Sequence, residues 1–166
     1  ELQASVDYPI GTTTVRGEYI GGVQPSINNA LTVPVATGND LYIRKFHGAY
    51  FYFVQTIKHK IKDHPIYHDF VFKYDFLNPN KQVAQKDLST ANDGKTSAAD
   101  IAYQTFGVGY IFRPFEFFQL QVYYDIVKNK TTNVTGYTRD LKDNVLTIRA
   151  QFKLDTDWFN RKVKLI

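Results

Sequence analysis

The chain lacks cysteine and methionine, and it has no long apolar run. Without cysteine there is neither a disulfide framework nor a thiolate metal site. No window reaches the roughly 18 apolar residues of a membrane-spanning helix, which excludes a helical membrane protein. The chain starts without methionine and without a charged-then-apolar leader, so we expect a mature or internal piece of a protein.

Aromatic residues are abundant instead. The 166 residues include 12 Tyr, 13 Phe and 1 Trp, yet the mean hydropathy is only -0.33. This length supports a single domain. Lys and Arg number 20 against 16 Asp and Glu, which gives a net charge of +4. A positive surplus at first suggests an anionic partner.

Strict alternation of apolar and polar residues predicts β-strands. The run 118–128 places Leu120, Val122, Tyr124 and Ile126 on one face, and helical spacing would scramble that face. The run 46–55 is apolar on both faces, so its orientation is open. The seven predicted strands are 2–8, 12–21, 46–55, 66–76, 102–112, 118–128 and 146–154.

The connections between the predicted strands differ in length. Segments 9–11 and 114–116 are tight turns, and segment 56–65 is a basic connection of medium length. This distribution is typical of an outer-membrane barrel, with short turns on one side and long loops on the other. The long polar loops are 22–40, 77–100 and 129–143.

The predicted fold class is therefore all-β: an antiparallel up-and-down transmembrane β-barrel over residues 1–154, followed by a C-terminal tail, 155–166. A soluble sandwich is the alternative, but its strands average about 5 to 6 residues. Tyr and Phe near the strand ends also fit membrane girdles. Bacterial single-chain barrels have even strand counts. Seven strands thus predict the C-terminal part of a larger barrel, unless the tail supplies an eighth.

Four stretches carry a family resemblance. They are FVFKYDFLNPNKQV (70–83), TFGVGYIFRPF (105–115), VYYDIVKN (122–129) and KDNVLTIRAQFKL (142–154). Their order and chemistry resemble the phosphate-selective porin O and P family. The resemblance implies a Gram-negative outer-membrane porin for passive diffusion of small solutes, with anions such as phosphate as candidates. Its partners would be outer-membrane lipid, lipopolysaccharide and other outer-membrane chains. The alternative is a non-conducting structural or interaction barrel that binds through loops 22–40 and 77–100.

A porin selects solutes by pore width and by charges on its inward face. The polar strand face carries four cations against five anions (Asp7 included), and Arg16 with Glu18 and Lys73 with Asp75 are expected to pair at i and i+2. These charges either form cross-strand pairs that hold adjacent strands together, or they form a basic ladder, a row of basic side chains that guides anions. Arg149 and Lys153 are the best candidates for such a ladder. The candidate pore-lining residues are Arg16, Glu18, Asp69, Lys73, Asp75, Gln121, Asp125, Arg149, Gln151 and Lys153.

Glycines and histidines invite two further interpretations. Gly107 and Gly109 indicate close backbone approach or bending more readily than a narrow place in a pore. His59, His64 and His68 could suggest a metal, but lysines flank them, so we interpret them as residues of a turn.

Other classes of function lack support in the sequence. No catalytic motif occurs, so neither an enzyme nor a cofactor is predicted. A nucleic-acid-binding barrel would place aromatics and cations on one face, whereas here they lie on opposite faces. The basic excess falls in the turns, the loops and the tail, where anionic lipid headgroups are its expected partners.

Overall fold

The computed structural model describes residues 1–27, 41–62, 64–88 and 96–153. These residues form one antiparallel sheet in which every strand pairs with its neighbours in sequence. The fold is therefore all-β, as predicted. Its helical content is two single turns of 3-10 helix, Gln85–Asp87 and Ala98–Asp100. In chain order the strands are β1 Leu2–Tyr8, β2 Gly11–Ile27, β3 Leu41–Ile61, β4 His64–Asn78, β5 Tyr103–Phe115, β6 Phe118–Asn129 and β7 Val145–Phe152.

The described sheet is open. Strand β1 pairs only with β2, and β7 pairs only with β6, so each has one edge without a partner strand. No helix of the described residues is long and apolar enough to cross a membrane. The predicted tail 155–166 and most of the predicted loop 22–40 lie outside the described residues.

Several predicted boundaries are wrong on the β3 side of the sheet. Strand β2 continues to Ile27, and β3 has 21 residues instead of the predicted ten. The predicted connection 56–65 is a strand pair, because the register runs on to Ile61 opposite His64. Lysines alternate there with Ile57, His59 and Ile61, and so charged a segment resembles a loop. The true connection occupies positions 62 and 63, and Lys62 adopts the left-handed φ of 47° that such a short turn favours.

With that correction, short and long connections alternate strictly. Positions 9–10, 62–63 and 116–117 join the strands at one end of the sheet, which we call the tight-turn end. The connections 28–40, 79–102 and 130–144 join them at the opposite, long-loop end.

The register separates the sheet into two chemically different faces. Residues directly opposite each other on antiparallel strands point to the same side. The polar face holds Tyr50 and Tyr52 of β3, which settles the orientation of that strand, while Phe51 and Phe53 lie on the apolar face. The apolar face continues through Phe70, Phe72, Phe106, Val108, Val122, Tyr124, Leu146 and Ile148.

The buried hydrophobic cluster of the described residues lies in the long connections and not under the sheet. It consists of Leu88, Ile101 and Val134, with Val83 and Tyr137 packed against it. We call this cluster and the described parts of the connections that form it, 79–88, 96–102 and 130–144, the loop cap. No periodic pattern marks these segments, and the sequence analysis treated them only as loops.

A buried carboxylate ties the loop cap to the sheet. Asp100 is fully buried and accepts hydrogen bonds from Arg44 Nη1 at 3.0 Å and Asn80 Nδ2 at 3.2 Å. Its second oxygen accepts from the Ser97 backbone N–H at 2.8 Å, which caps the short helix 98–100. Because Arg44 belongs to β3, the long connection before β5 is held against the sheet.

Candidate functional site

The polar face brings the predicted pore-lining residues together. Nine of the ten lie on this face by register: Arg16, Glu18, Asp69, Lys73, Asp75, Gln121, Asp125, Arg149 and Gln151. The tenth, Lys153, directly follows β7 and lines a cavity together with Gln151. The sheet therefore presents all ten to one side.

The central contact of this face is an ion pair that spans a whole strand. Lys73 Nζ of β4 lies 2.8 Å from Asp125 Oδ2 of β6, and both side chains are largely buried. Gly107 of β5 lies between them in the register, and an added Cβ there would collide with both side chains. The absence of a side chain at Gly107 is what allows the two charges to meet.

The ring of Tyr123 occupies the space above a second glycine of β5. It lies over Gly109, where an added Cβ would collide with the ring. The ammonium of Lys73 lies 5.9 Å from the centre of this ring. The prediction that Gly107 and Gly109 mark close approach is confirmed, since large side chains cross the backbone at both positions.

The expected pairing of charges along single strands is wrong. Lys73 pairs with Asp125 and not with Asp75. Arg16 pairs with Glu1 through Nε and Oε1 at 2.6 Å and not with Glu18. Residues at i and i+2 are about 6.6 Å apart along a strand, whereas side chains of adjacent strands approach more closely. The partners could not be found without the register.

A second cluster at the tight-turn end contains a residue that the sequence analysis missed. Arg113 Nη2 donates to Asp69 Oδ1 at 2.7 Å, and Thr56 Oγ1 donates to the same oxygen at 2.8 Å. The guanidinium also lies 5.0 Å from the centre of the Tyr67 ring. Arg113 follows the regular alternation of β5 on the polar face, which is the signal that could have identified it.

The remaining charges of the candidate pore-lining set divide by sign. Four ion pairs occur among the described residues, and they leave out Glu18, Asp75, Arg149 and Lys153. The two acids flank Tyr50 in one row of the register. The two cations lie on β7 and directly after it. The ion pairs of Arg16 and Lys73 therefore hold strands together. Arg149 and Lys153 remain candidates for a basic ladder.

A cavity of about 520 Å³ opens beside Lys153 at the tight-turn end. Its polar groups are Arg113, Lys153, Glu116 and the amides of Gln119 and Gln151, which are joined by a 2.7 Å hydrogen bond. Aromatic walls are provided by Tyr67 and Phe117. The arrangement offers cations and amide donors to a small solute.

The apolar face carries polar groups that bond to one another. Tyr8, Thr13 and Gln55 form a closed triangle of hydrogen bonds across β1, β2 and β3. His68 Nδ1 lies 2.6 Å from the Tyr110 hydroxyl. Further contacts join Tyr19 to His47 at 3.4 Å and Asn144 to Tyr124 at 3.0 Å.

The histidines of the predicted turn belong to strands. His59 and His68 lie on β3 and β4, and their rings stack on the apolar face with centroids 4.9 Å apart. His64 begins β4. Among the described residues no group of three or more His, Asp or Glu side chains is arranged to hold a metal ion.

No family model matches the chain, and neither a curated protein nor a solved structure matches it. The resemblance to the phosphate-selective porin family therefore stays a prediction. The fold itself defines the coarser class: a single antiparallel seven-stranded sheet with one polar and one apolar face.

Proposed function

We propose that this chain forms part of the wall of a transmembrane β-barrel, a porin-like channel in the outer membrane of a Gram-negative bacterium. The polar face lines a water-filled lumen through which small solutes diffuse passively. The apolar face contacts outer-membrane lipid and, at its outer rim, lipopolysaccharide. Residues 1–154 make up the barrel segment, and further strands complete the barrel.

The observation that carries this proposal is an inverted pattern of burial. Along β4, Asp69 and Val71 on the polar face are 5% and 6% exposed, whereas Phe70 and Phe72 on the apolar face are 50% and 41% exposed. In a water-soluble antiparallel sheet the apolar face is the one that packs against a core. An open apolar face of this extent indicates a surface that another apolar phase covers.

The hydrogen bonds of the apolar face support lipid as that phase. A polar group in hydrocarbon costs free energy unless it has a hydrogen-bond partner. On this face Tyr8, Thr13 and Gln55 satisfy one another, and His68 pairs with Tyr110. A face that contacts water has no need for such pairing.

Along β4 the apolar face has an aromatic residue with a polar atom at each end and phenylalanines between them. His68 lies towards the tight-turn end and Tyr74 towards the long-loop end, with Phe70 and Phe72 in the interval. From His68 to Tyr74 the strand covers six residues, about 20 Å of strand or roughly 15 Å of height at a tilt near 40°. On β5 and β6 the order differs, because Tyr110 lies opposite Phe70 and Tyr124 lies in the row of Phe72. The order along β4 is the one that the aromatic girdles of outer-membrane barrels produce.

Strand direction determines how the barrel closes. Seven antiparallel strands leave β1 and β7 running in the same direction. An entirely antiparallel closure needs an odd number of additional strands between these two edges. We infer that they come from another part of the same protein, so this chain is one part of a larger barrel.

Small anions such as phosphate are the solutes that the free cations favour. Arg149 and Lys153 are the cations of the candidate set that take part in none of the described ion pairs. Arg113, which is paired with Asp69, adds a guanidinium beside Lys153 in the 520 Å³ cavity. Cationic side chains on a lumen wall attract anions and repel cations.

Planar-bilayer conductance of the full-length protein that contains this chain tests the proposal. Reversing Arg149 and Lys153 to Glu should shift the ion preference from anions towards cations. The matched control reverses Lys45 and Lys128, two exposed cations at apolar-face positions, and should leave the preference unchanged. A protein that conducts no current would overturn the channel assignment, and an unchanged preference would remove these two cations from selectivity.

The loop cap favours a second candidate, a non-conducting barrel that scaffolds an outer-membrane assembly. Two long connections pack on each other around Leu88, Ile101 and Val134 and are held by Asp100. Ordered loops on a rigid sheet are suited to contact other outer-membrane protein chains. Absence of conductance together with recovery of a stable complex would favour this candidate over the channel.

A further inference from the structure

The hairpin of β3 and β4 projects beyond β2, which begins at Gly11 opposite Ile57. On its other side the last backbone pair with β5 joins Tyr67 to Arg113, while β5 itself runs on to Phe115. Beyond these pairs the hairpin continues to Ile61 opposite His64. Four residues at about 3.3 Å each give an extension of roughly 13 Å past β2. We call residues 58–62 and 64–66 the tongue.

The two sides of the tongue differ in chemistry. Lys58 and Lys60 follow the polar face, and Lys62 stands at the tip. Ile61 and Ile66 follow the apolar face and continue the stripe of Phe70 and Phe72. The tongue is thus an extension of the apolar wall that ends in three cations.

These three cations have no carboxylate partner in the described part of the chain. None of the ion pairs there involves Lys58, Lys60 or Lys62, and all three residues are exposed. Lys58 lies 5.6 Å from the centre of the Tyr67 ring and is otherwise available to a ligand. Spaced two residues apart, the ammonium groups form a row of positive charge at the tight-turn end.

We propose that the tongue binds the phosphate groups of anionic phospholipids in the membrane leaflet at the tight-turn end. This inference rests on the proposed function, because it requires the apolar face to contact lipid. An acidic protein would account for the lysines but not for the isoleucines on the other side of the same hairpin. A bilayer accounts for both: its acyl chains meet the isoleucines, and its headgroups meet Lys62 at the tip and the ends of the long, flexible Lys58 and Lys60 side chains, which reach them from the other side of the hairpin.

The test uses the lack of native cysteine. A single Ile61→Cys substitution in the full-length protein carries a fluorophore at the tongue, and Val108→Cys carries it on the apolar face. Each protein is inserted into vesicles of phosphatidylcholine with added phosphatidylglycerol. Spin-labelled quenchers on either lipid then report which headgroup lies beside the dye.

The expected result is preferential quenching of the Ile61 label by phosphatidylglycerol. Each lysine near an anionic surface contributes about fivefold at roughly 0.1 M salt, so the preference should be several-fold and should disappear near 1 M salt. Replacing Lys58, Lys60 and Lys62 by Gln should abolish it. Replacing Lys81, Lys86 and Lys128, near the long-loop end, removes the same charge and should preserve it.

The possible outcomes distinguish a failure of this inference from a failure of the proposed function on which it rests. Equal quenching of the Ile61 label by both lipids, or a preference that survives loss of the three tongue lysines, overturns the proposal. An unquenched Ile61 label beside a quenched Val108 label also overturns it and favours an acidic protein partner. An unquenched Val108 label overturns the membrane assignment itself.

Discussion

Lys73 and Asp125 form an ion pair of 2.8 Å although strand β5 lies between their own strands. The pair exists because Gly107 leaves the space above β5 empty. It connects β4 to β6 through side chains, in addition to the backbone ladders that join each to β5.

Adding a methyl group at Gly107 should destabilise the sheet. The new Cβ in Gly107→Ala would collide with Lys73 and Asp125, and overpacking of this kind costs about 1–3 kcal/mol. Gly21→Ala is the matched control, because its Cβ would meet only ordinary contacts, the nearest at 3.5 Å. Urea unfolding from lipid vesicles measures both changes. Equal losses in the two variants would show that steric collision is not the cause.

The ion pair itself should show coupling in a double-mutant cycle. Lys73→Met and Asp125→Asn each leave one largely buried charge without its partner, whereas the double variant leaves none. We expect an interaction free energy of about 1–3 kcal/mol between the two sites. Additive effects on the free energy of unfolding would mean that the pair contributes no specific stability.

Charge on the apolar face should be much more costly than charge on the polar face. Ile148 and Thr147 are adjacent on β7, both are exposed, and they point to opposite faces. In a membrane, Ile148→Lys should cost about 2–4 kcal/mol near the midplane, and Thr147→Lys should cost little. Stability in vesicles measures both. Two equally harmless substitutions would indicate that water covers both faces.

Removing the buried carboxylate should loosen the loop cap while the sheet stays intact. Asp100→Asn weakens the contact with Arg44 and the bond from the Ser97 N–H, at a cost of about 1–3 kcal/mol. Hydrogen exchange of the backbone should increase in residues 79–88 and 96–102 and stay unchanged in β4. The exposed Asp87→Asn is the control. Unchanged exchange in the cap would assign its order to the cluster around Leu88 instead.

Alternation of residue types was sufficient to predict the all-β class, the number of strands and the faces of every strand except β3, whose orientation only the register settles. A period of two is a local property, so runs such as 118–128 reveal it without knowledge of their partners. The length of β3 was underestimated at its C-terminal end, because the lysines and histidines of the tongue are residue types typical of a loop. The pairing of Arg16 with Glu1 and of Lys73 with Asp125 depends on register and on Gly107, neither of which a single strand contains. The segments of the loop cap show no periodic spacing of apolar residues, so no sequence pattern predicts their packing.

The strictly sequential order of the strands has a consequence for how the sheet is assembled. Every backbone ladder joins consecutive strands, so the described pairings form by closing one connection at a time. The entropic cost of closing a connection rises with its length. The β3–β4 hairpin closes over two residues and gains a ladder from His47 opposite Asn78 to Ile61 opposite His64. We therefore expect it to form ahead of the β2–β3 pair, which must close the longer connection 28–40, and to act as the template on which the flanking strands are added.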